Sequence, residues 1–529
     1  MSVLATSSVS DYFIDQKVAE GIFKEALQEK GAYRVLNYYG ANGVGKSKFK
    51  EYLEYKYIDK KELFGIELNF NNRLLHNPKN AIMYIAKELE AQFNFNFLAL
   101  WKAYAILWHK RFEKSLIMYA ADLPYIAEIK KLVEEERKNR SLLRIMKGLF
   151  KPSIAKELEE LKSLDTQEIE ARLYKFFASD LQTLIKQHNL KDFIFFIDSY
   201  ELIYEKEAIS PCDNDRWIRD LVLQIGRDAL FVIFSSHPIE WERCNVTWKT
   251  QIKFYELEKF KRKDAIRYLQ ESGIKDIKLK EAIVVSSAST PFWLSLAKYA
   301  YFKKEDKLPA VKHDILNSFL INQKSEIIRL LKILSHTRFF TKDIIKKISI
   351  YFNIPTNTNL LIELTSFDFI KEIGNNRYVI DKVLREELIE LEDEEKNRDY
   401  QIFLFGYYED LLHSLDKEKI KNTPEFIDEV LEEAWYYLTT ISDEPLVHFE
   451  WLDYYVSRFF LYAAWEPFIY RYKQIIPKLK AKKDDLSKEK LITLYNNLAG
   501  LYESIGENRL AKLYYIKVAK LNRPELLKV

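Results

Sequence analysis

The sequence contains the stretch Gly40-Ala41-Asn42-Gly43-Val44-Gly45-Lys46-Ser47, which is rich in glycine and ends in Lys-Ser. Residues Tyr33–Tyr39 before it favour a strand, because they are mostly aromatic or β-branched, and Lys48–Tyr55 after it has helical spacing. A glycine-rich loop in this position turns backbone N–H groups inward at the positive end of a helix dipole. The strand–loop–helix context separates a phosphate-binding loop from a chance match, so we predict a nucleotide site here.

The predicted site holds ATP or ADP together with Mg²⁺. In such a loop the lysine reaches the β- and γ-phosphates and the Ser hydroxyl binds Mg²⁺. These roles are assigned to Lys46 and Ser47. The residues predicted to bind the cofactor in this segment are Gly40, Asn42, Gly43, Val44, Gly45, Lys46, Ser47 and Lys48.

A second part of the site is predicted at Phe193–Asp198, an apolar run that ends in a carboxylate. A buried strand that delivers an acid at its carboxyl end supplies the Mg²⁺ shell of a phosphate-loop enzyme. Asp198 is therefore a predicted metal and catalytic residue, the alternative being a solvent-facing Asp at a strand end. The next residue is Ser199, where many ATPases place a general base. The nearest acid, Glu201, either orients the attacking water or is only a charge at a helix start.

Three further strands complete a predicted parallel α/β sheet: Leu63–Phe70, Leu230–Phe234 and Gln251–Tyr255. His237 follows the second of these strands. It either contacts the γ-phosphate or is a loop residue without that contact.

Composition indicates a mostly helical chain of several domains. The chain has 529 residues, with 48% hydrophobic residues, 13 Gly and 13 Pro, and few breakers favour helices. A net charge of +3 gives no reason to expect nucleic-acid binding. Cys212 and Cys244 are expected to be free thiols in a reducing compartment. No signal peptide and no apolar stretch of roughly 20 residues is recognisable, so no membrane contact and a cytoplasmic location are expected.

Several segments resemble one family. They are Tyr12-Phe13-Ile14-Asp15, Asp198-Ser199-Tyr200-Glu201, Trp217–Val222, Glu240-Trp241 and Tyr255-Glu256-Leu257 followed by Tyr268-Leu269. Over about residues 10–395 the chain resembles the STAND class of signalling P-loop ATPases, the group that contains plant resistance proteins, apoptosome scaffolds and bacterial antiviral sensors.

The resemblance implies a helical lid with a Gly-x-Pro motif against the nucleotide. The matching stretch is Ser289-Thr290-Pro291, in which Ser289 replaces the glycine. Pro291 is thus a predicted cofactor-binding residue, although a proline also suits a simple helix start. A winged helix follows in the family, and its end carries a His-Asp pair whose His touches ADP. Here that pair is Ile380-Asp381, so the locking contact is missing.

The C-terminal part is helical and aromatic, and its end resembles one tetratricopeptide unit through Tyr495, Leu498, Ala499, Tyr502, Gly506, Ala511 and Tyr515. Most of its aromatic residues are expected in a core. The predicted fold is an α/β P-loop NTPase core followed by an all-α lid, a winged helix and a helical-repeat region. The predicted domains are 1–255, with a helical insertion at about 79–190, then 256–322, 323–396 and 397–529.

The resemblance implies a signalling switch that binds ATP, hydrolyses it slowly and changes conformation or assembles as a homo-oligomer. About 30 residues precede the first strand, so the effector is expected to be a separate chain, with antiviral defence as the setting. Two alternatives stay open. One is a DNA-associated AAA+-like ATPase, although its recognition helix, residues 357–366, would contain no Lys or Arg. The other is a scaffold without catalysis, which Ser199 and His237 would suit.

Overall fold

A computed structural model describes residues 17–28, 33–59, 63–111, 152–190, 193–205, 211–300, 309–355, 359–374, 376–416, 424–459 and 466–522. The chain divides into two compact units, Met1–Asn96 with Ala178–Asp393 and Phe97–Phe177 with Glu394–Val529. The nucleotide-binding, lid and winged-helix segments fall in the first unit. The predicted boundaries between the four domains stay predictions.

The first unit is built on a parallel five-stranded sheet with the strand order β2-β3-β4-β1-β5. Its central strands lie between neighbours on both sides, and β3 and β4 are buried along their whole length. That burial explains why both are continuous apolar runs in the sequence. The strands are β1 (Val35–Tyr39), β2 (Phe64–Asn69), β3 (Phe193–Asp198), β4 (Ala229–Ser235) and β5 (Ile252–Glu256).

Aromatic packing fixes the helix after the glycine-rich loop against this sheet. Tyr38 of β1 stacks on Phe234 of β4, with ring centroids 5.5 Å apart, and Phe49 meets Tyr38 edge to face at 5.0 Å. The Tyr38 hydroxyl donates a hydrogen bond of 2.6 Å to the Ala19 carbonyl, so its polar end is satisfied in the core. The loop therefore starts from a rigid strand and ends in a rigidly packed helix.

Along the chain, α-helices lie before and between the strands, and some of them belong to the insertion. Asn77 caps one of them, because its side chain accepts hydrogen bonds from the N–H groups of Lys79 and Asn80. These α-helices are Lys17–Gln28, Lys46–Leu53, Pro78–Phe93, Leu98–Arg111, Pro152–Glu160, Thr166–Glu170, Leu173–Gln187, Pro211–Asn214 and Arg216–Ile225. Short 3₁₀ segments lie at Arg73–His76, Leu161–Ser163, Tyr200–Glu205, Gly226–Asp228, Trp241–Arg243 and Val246–Thr250, and a π-helical turn at Glu54–Asp59.

The lid and winged-helix segments complete the first unit. The lid helices are Arg262–Glu271, Ile277–Ser286, Pro291–Tyr299 and Lys312–Ile321. The winged-helix segment has the helices Ser325–Leu334, Lys342–Tyr351, Leu360–Thr365 and Lys382–Glu390, with the antiparallel hairpin of β6 (Ile370–Glu372) and β7 (Tyr378–Ile380) as its wing.

The second unit is helical in its described parts. Its C-terminal helices are Glu394–His413, Pro424–Ile441, Pro445–Phe459, Glu466–Lys482, Asp485–Ser504 and Asn508–Asn522, and the last three pack in succession. Trp435, Tyr437, Tyr455 and Phe459 are buried, whereas Tyr454 is exposed. In the repeat-like end, Tyr514 is buried and stacks on Tyr502, whereas Tyr515 is exposed, so the inward position is one residue earlier than the spacing suggested.

The predicted fold class is confirmed: a parallel α/β core is followed by mostly helical segments with one small wing. In the described ranges, no helix is long and apolar enough to cross a membrane. Residues 112–151 of the predicted insertion, the motif Tyr12–Asp15, and two predicted core aromatics, Phe460 and Trp465, lie outside the described residues.

The prediction of free thiols is wrong, because Cys212 and Cys244 form a disulfide with a Cα–Cα distance of 5.7 Å. The segments that carry them follow β3 and β4, which are neighbours in the sheet. The carboxyl ends of parallel neighbours meet at one edge, so residues 32 positions apart in sequence come together there. The two cysteines therefore give no support to a reducing compartment.

Replacing both cysteines with Ser should lower the stability of the chain. Closing a loop of this length removes conformational freedom from the unfolded chain, which is worth about 3 to 4 kcal/mol in the loop-entropy model. Thermal unfolding followed by circular dichroism should show a lower Tm for the double variant. A reductant should lower the Tm of the unmodified protein and leave that of the variant unchanged. Alkylation of both thiols in denaturant without reductant would contradict the disulfide.

Candidate nucleotide-binding site

The glycine-rich loop begins where β1 meets its neighbours on both sides. The Gly40 N–H donates to the Ser235 carbonyl of β4, and the Leu257 N–H donates to the Tyr39 carbonyl. A Cβ at Gly40 would lie 2.5 Å from the Leu257 carbonyl oxygen, so only glycine fits at this point. The start of the loop is thus held by backbone contacts that leave no room for a side chain.

Lys46 has the surroundings of a phosphate-binding lysine. Its Nζ donates to the carbonyls of Gly40 at 2.7 Å and Ala41 at 3.1 Å, and within the described residues it makes no ion pair. Burial lowers the pKa of Lys46, and the nearby carboxylates of Glu201, Asp198 and Asp381 act in the opposite direction. A partly buried ammonium bound only to carbonyl oxygens suits an anionic ligand.

Asp198 lies buried at the end of β3. Its Oδ1 accepts a hydrogen bond from the Ser199 N–H at 2.8 Å, and its Oδ2 is 3.8 Å from the Lys50 Nζ. Lys50 is itself buried and also pairs with Glu67 of β2. Lys50 is not among the residues predicted from the sequence, although its place one helical turn after Lys46 puts it on the same face of the helix.

A magnesium ion would depend on few protein ligands. Among the described residues there is no group of three His, Cys, Asp or Glu side chains that could hold a metal. Mg²⁺ is usually bound by one or two protein oxygens together with phosphates and water. The hydroxyl of Ser47 and the carboxylate of Asp198 are donors of that kind, so the residues present fit the ion.

Glu201 is fixed at the end of the neighbouring strand. Its Oε2 accepts a hydrogen bond from the Ser236 N–H at 3.1 Å, directly after β4. Ser199, which stands where many ATPases have a second acid, adopts a left-handed φ of 57° and its Oγ accepts from the Asn71 side chain at 2.7 Å. The structure therefore brings Glu201 close to Lys46 and turns Ser199 toward β2.

A buried carboxylate, Asp215, joins the segments after β3 and β4. It accepts hydrogen bonds from the Tyr200 hydroxyl and from the Trp241 indole N–H, each at 2.7 Å. Tyr204 and Arg219 also donate to it. Since Tyr200 precedes Glu201, this network holds the backbone that carries the candidate base. The buried position of Asp215 could not be predicted, because an acid within the polar run Asp213–Arg216 has the pattern of a surface residue.

His237 is exposed, and its Nδ1 lies 3.0 Å from the Oγ of Ser236. Within the described residues its ring has no other hydrogen-bond partner. This position agrees with a loop residue, and a contact with the γ-phosphate stays a prediction.

The lid touches the tip of the glycine-rich loop directly. The Phe292 N–H donates to the Gly43 carbonyl at 3.0 Å, and a Cβ at Gly45 would lie 3.9 Å from the Cβ of Pro291. Ser289, at the family's glycine position, has a left-handed φ of 57°, a conformation that glycine adopts more easily. The lid turn thus holds a serine in a conformation that favours glycine, the residue that the resemblance implies at this position.

The winged-helix segment reaches the same tip. Gly43 has φ 81°, and a Cβ there would lie 3.0 Å from the Phe292 Cβ and 3.4 Å from the Cγ2 atoms of Thr290 and Val383. Val383 belongs to the helix Lys382–Glu390, whose start is capped by Asp381. Lid, winged helix and loop therefore converge on Gly43.

An ion pair adds a second link between the winged-helix segment and the loop helix. The Lys371 Nζ of β6 is 2.7 Å from Oε1 of Glu51, whose Oε2 is 2.8 Å from the Lys48 Nζ. Burial alone would raise the pKa of Glu51, but the ammonium groups of Lys371 and Lys48 lower it to about 2. The exposed ammonium of Lys48 therefore already has an ion-pair partner in Glu51.

Burial raises the pKa of Asp381, while its hydrogen bond from the Val383 N–H and the charges of Lys371 and Lys46 oppose that rise. A carboxylate of the winged-helix segment consequently lies close enough to Lys46 for their charges to interact. An anionic ligand beside Lys46 would meet this negative charge as well as the positive ones.

The strand order and the glycine-rich loop after β1 define a P-loop NTPase fold. No family model matches the sequence, and no curated protein matches it. Similar solved structures include a STAND protein with a tetratricopeptide repeat sensor from Pyrococcus horikoshii, at 14% identity and a TM-score of 0.44. That match covers 97% of this chain but only 65% of the other protein, less than two thirds of its length.

Two further matches are a Walker-type ATPase from Pyrococcus abyssi and Cdc6p from Pyrobaculum aerophilum. The first has 12% identity and a TM-score of 0.30 and covers 71% of this chain and 96% of the other. The second has 12% identity and a TM-score of 0.26 and covers 72% and 97%. The predicted resemblance to STAND ATPases is confirmed in that a STAND protein is among the matches. Because all three TM-scores are below 0.5, these structures assign no role to individual residues of this chain.

Lys46→Ala should weaken ATP binding at least about tenfold, which corresponds to about 1.4 kcal/mol. The reason is that the phosphates lose a cation held inside the loop. Lys263→Ala is the matched control, because Lys263 is an exposed lysine on the helix Arg262–Glu271 and is not among the predicted site residues, so its loss should change the affinity little. Isothermal titration calorimetry measures both. Equal affinities for Lys46→Ala and the unmodified protein would place the nucleotide elsewhere.

Proposed function

We propose that the chain is an ATP-binding switch of the STAND type that hydrolyses ATP slowly. The proposal rests on one observation: the lid and the winged helix both lie against Gly43 of the phosphate-binding loop. A ligand in this loop lies at the joint of three segments, so its phosphates can change how these segments pack.

The proposed roles of the site residues follow from their positions. Lys46 binds the β- and γ-phosphates, while Ser47 and Asp198 hold the Mg²⁺ ion. A bound Mg²⁺ would neutralise phosphate charge during transfer. Glu201 orients the attacking water and accepts its proton, since its carboxylate is kept at the edge of the sheet by the Ser236 N–H.

Slow turnover is supported by the residue after Asp198. Ser199 cannot act as a strong base, and the next acid along the chain, Glu201, lies two residues further on, where its Oε2 already accepts a hydrogen bond from the Ser236 N–H. A long-lived ATP state is what a switch needs. The same features keep the scaffold without catalysis as a second candidate, which turnover measurements distinguish from the first.

The charges of the winged-helix segment give the switch a physical basis. Lys371 ties this segment to Glu51, whereas Asp381 brings a negative charge toward Lys46. ATP adds one more phosphate than ADP, so repulsion from Asp381 grows while the attraction to Lys46 is shared among more oxygens. We propose that this difference favours the release of the winged helix in the ATP state.

The proposal also covers the partners of this chain and its biological role. The effector is a separate chain, and the released surfaces join copies of this chain head to tail. The resemblance to bacterial antiviral sensors suggests a role in antiviral defence. A DNA-reading role has less support, because the helix Leu360–Thr365 has no basic residue and its Glu363 pairs with Lys324.

Glu201→Gln should lower ATP turnover roughly 10²- to 10⁴-fold, the range that a positioned general base contributes. Gln can still accept the hydrogen bond from Ser236, so the backbone should stay in place. ATP affinity should be equal or higher, because a negative charge near Lys46 is removed. Phosphate release and calorimetry measure the two effects. Unchanged turnover would exclude Glu201 as the base, and no turnover in the unmodified protein would favour the scaffold.

ATP should promote assembly of the full-length chain. Mass photometry with ADP and with a slowly hydrolysed ATP analogue should show larger particles only with the analogue. Lys46→Ala is the control, because it should stay in the smaller form under both conditions. A single mass for the unmodified protein in both nucleotides would contradict assembly by this chain alone.

A further inference from the structure

The last three described helices carry a local positive charge. Residues 466–522 contain twelve Lys or Arg and six Asp or Glu, a net charge of +6, whereas the whole chain has +3. The rest of the chain is therefore net negative. In a chain whose positive and negative charges nearly cancel, a basic region indicates an electrostatic function for that region.

Lysines and tyrosines from all three helices meet on this part of the chain. We call the Lys–Tyr cluster the set Lys473, Lys480, Tyr495, Tyr502, Tyr514 and Lys517. The Lys517 Nζ lies 4.1 Å from the ring centroid of Tyr514 and 5.6 Å from that of Tyr495. The Lys473 Nζ lies 5.3 Å from the ring of Tyr502, which stacks on Tyr514 at 5.6 Å. Cation–π contacts of this kind hold the ammonium groups in place.

The lysines of the cluster are exposed and the tyrosines are buried. Among the described residues none of the three lysines makes an ion pair, although their neighbours do: Arg471 pairs with Glu432 and Lys482 pairs with Glu444. Desolvation and the charge of Lys517 lower the pKa of Lys473, and desolvation and the charge of Lys480 lower that of Lys517. The ammonium groups thus repel one another without a counter-charge.

We propose that the Lys–Tyr cluster binds an acidic peptide segment, rich in Asp or Glu, of a partner protein. Carboxylates placed between the three ammonium groups would relieve their repulsion and complement the charge of the surface. Single-stranded nucleic acid is bound through exposed aromatic rings on which bases stack, and the three tyrosine rings of the cluster are buried. The site is separate from the nucleotide loop and does not depend on the proposed ATPase.

Fluorescence anisotropy on the full-length chain tests this site, with a labelled short peptide of alternating Glu and Gly as probe. A matched peptide of Gln and Gly should not bind. Lys473→Gln and Lys517→Gln should each weaken binding about two- to fivefold, as expected for exposed charge pairs. Lys512→Gln is the control, because Lys512 is exposed on the same helix as Lys517 but lies outside the cluster. Binding should weaken as salt increases.

Several results would overturn the proposal. One is the absence of acidic-peptide binding, and another is equal binding of the Gln peptide. Equal losses for Lys512→Gln and Lys517→Gln would mean that only general charge matters. Tighter binding of a single-stranded oligonucleotide, lost on the same two substitutions, would assign the surface to nucleic acid. Circular dichroism checks that each variant is folded. Lys46→Ala should bind the peptide normally, which separates a failure here from a failure of the nucleotide site.

Discussion

The hydrogen bond from the Phe292 N–H to the Gly43 carbonyl joins the lid to the phosphate-binding loop. One such bond contributes only about 0.5 to 1.5 kcal/mol. Its importance lies in its place, since the same glycine also lies against Val383 of the winged helix. No side chain fits there without moving one of the three segments. The glycine-rich loop is therefore also the point at which the lid and the winged-helix segment meet.

Buried charge is the second constraint on this unit. Lys50 and Asp198 lie together inside it, and Asp215 is surrounded by Tyr200, Trp241 and other donors. Burying a charge is costly unless partners satisfy it, so these groups hold their neighbours in fixed positions. The ion pairs and hydrogen bonds that offset this cost lie beside the candidate site, where the geometry must be rigid. The disulfide Cys212–Cys244 closes the same region covalently.

The second unit uses charge in a different way. Its helices bury aromatic residues and keep lysines at the surface, three of them without a carboxylate partner in the described part of the chain. Helical repeats bury their own core only by stacking, which leaves broad faces open for partners. The first unit thus places its charges inside, around the glycine-rich loop, whereas the second unit places them on its surface.

The sequence by itself determined the sheet, the loop and the residues at the strand ends, because strands and glycine-rich turns leave local patterns of spacing and side-chain type. It predicted Lys46 in the loop after the first strand and Asp198 at the carboxyl end of a buried strand, which is where the structure has them. Only the tertiary structure decided that Cys212 meets Cys244, that Lys50 lies beside Asp198, and that Lys371 pairs with Glu51. These contacts join segments far apart in the chain, and neither spacing nor composition records which distant segments the packing brings together.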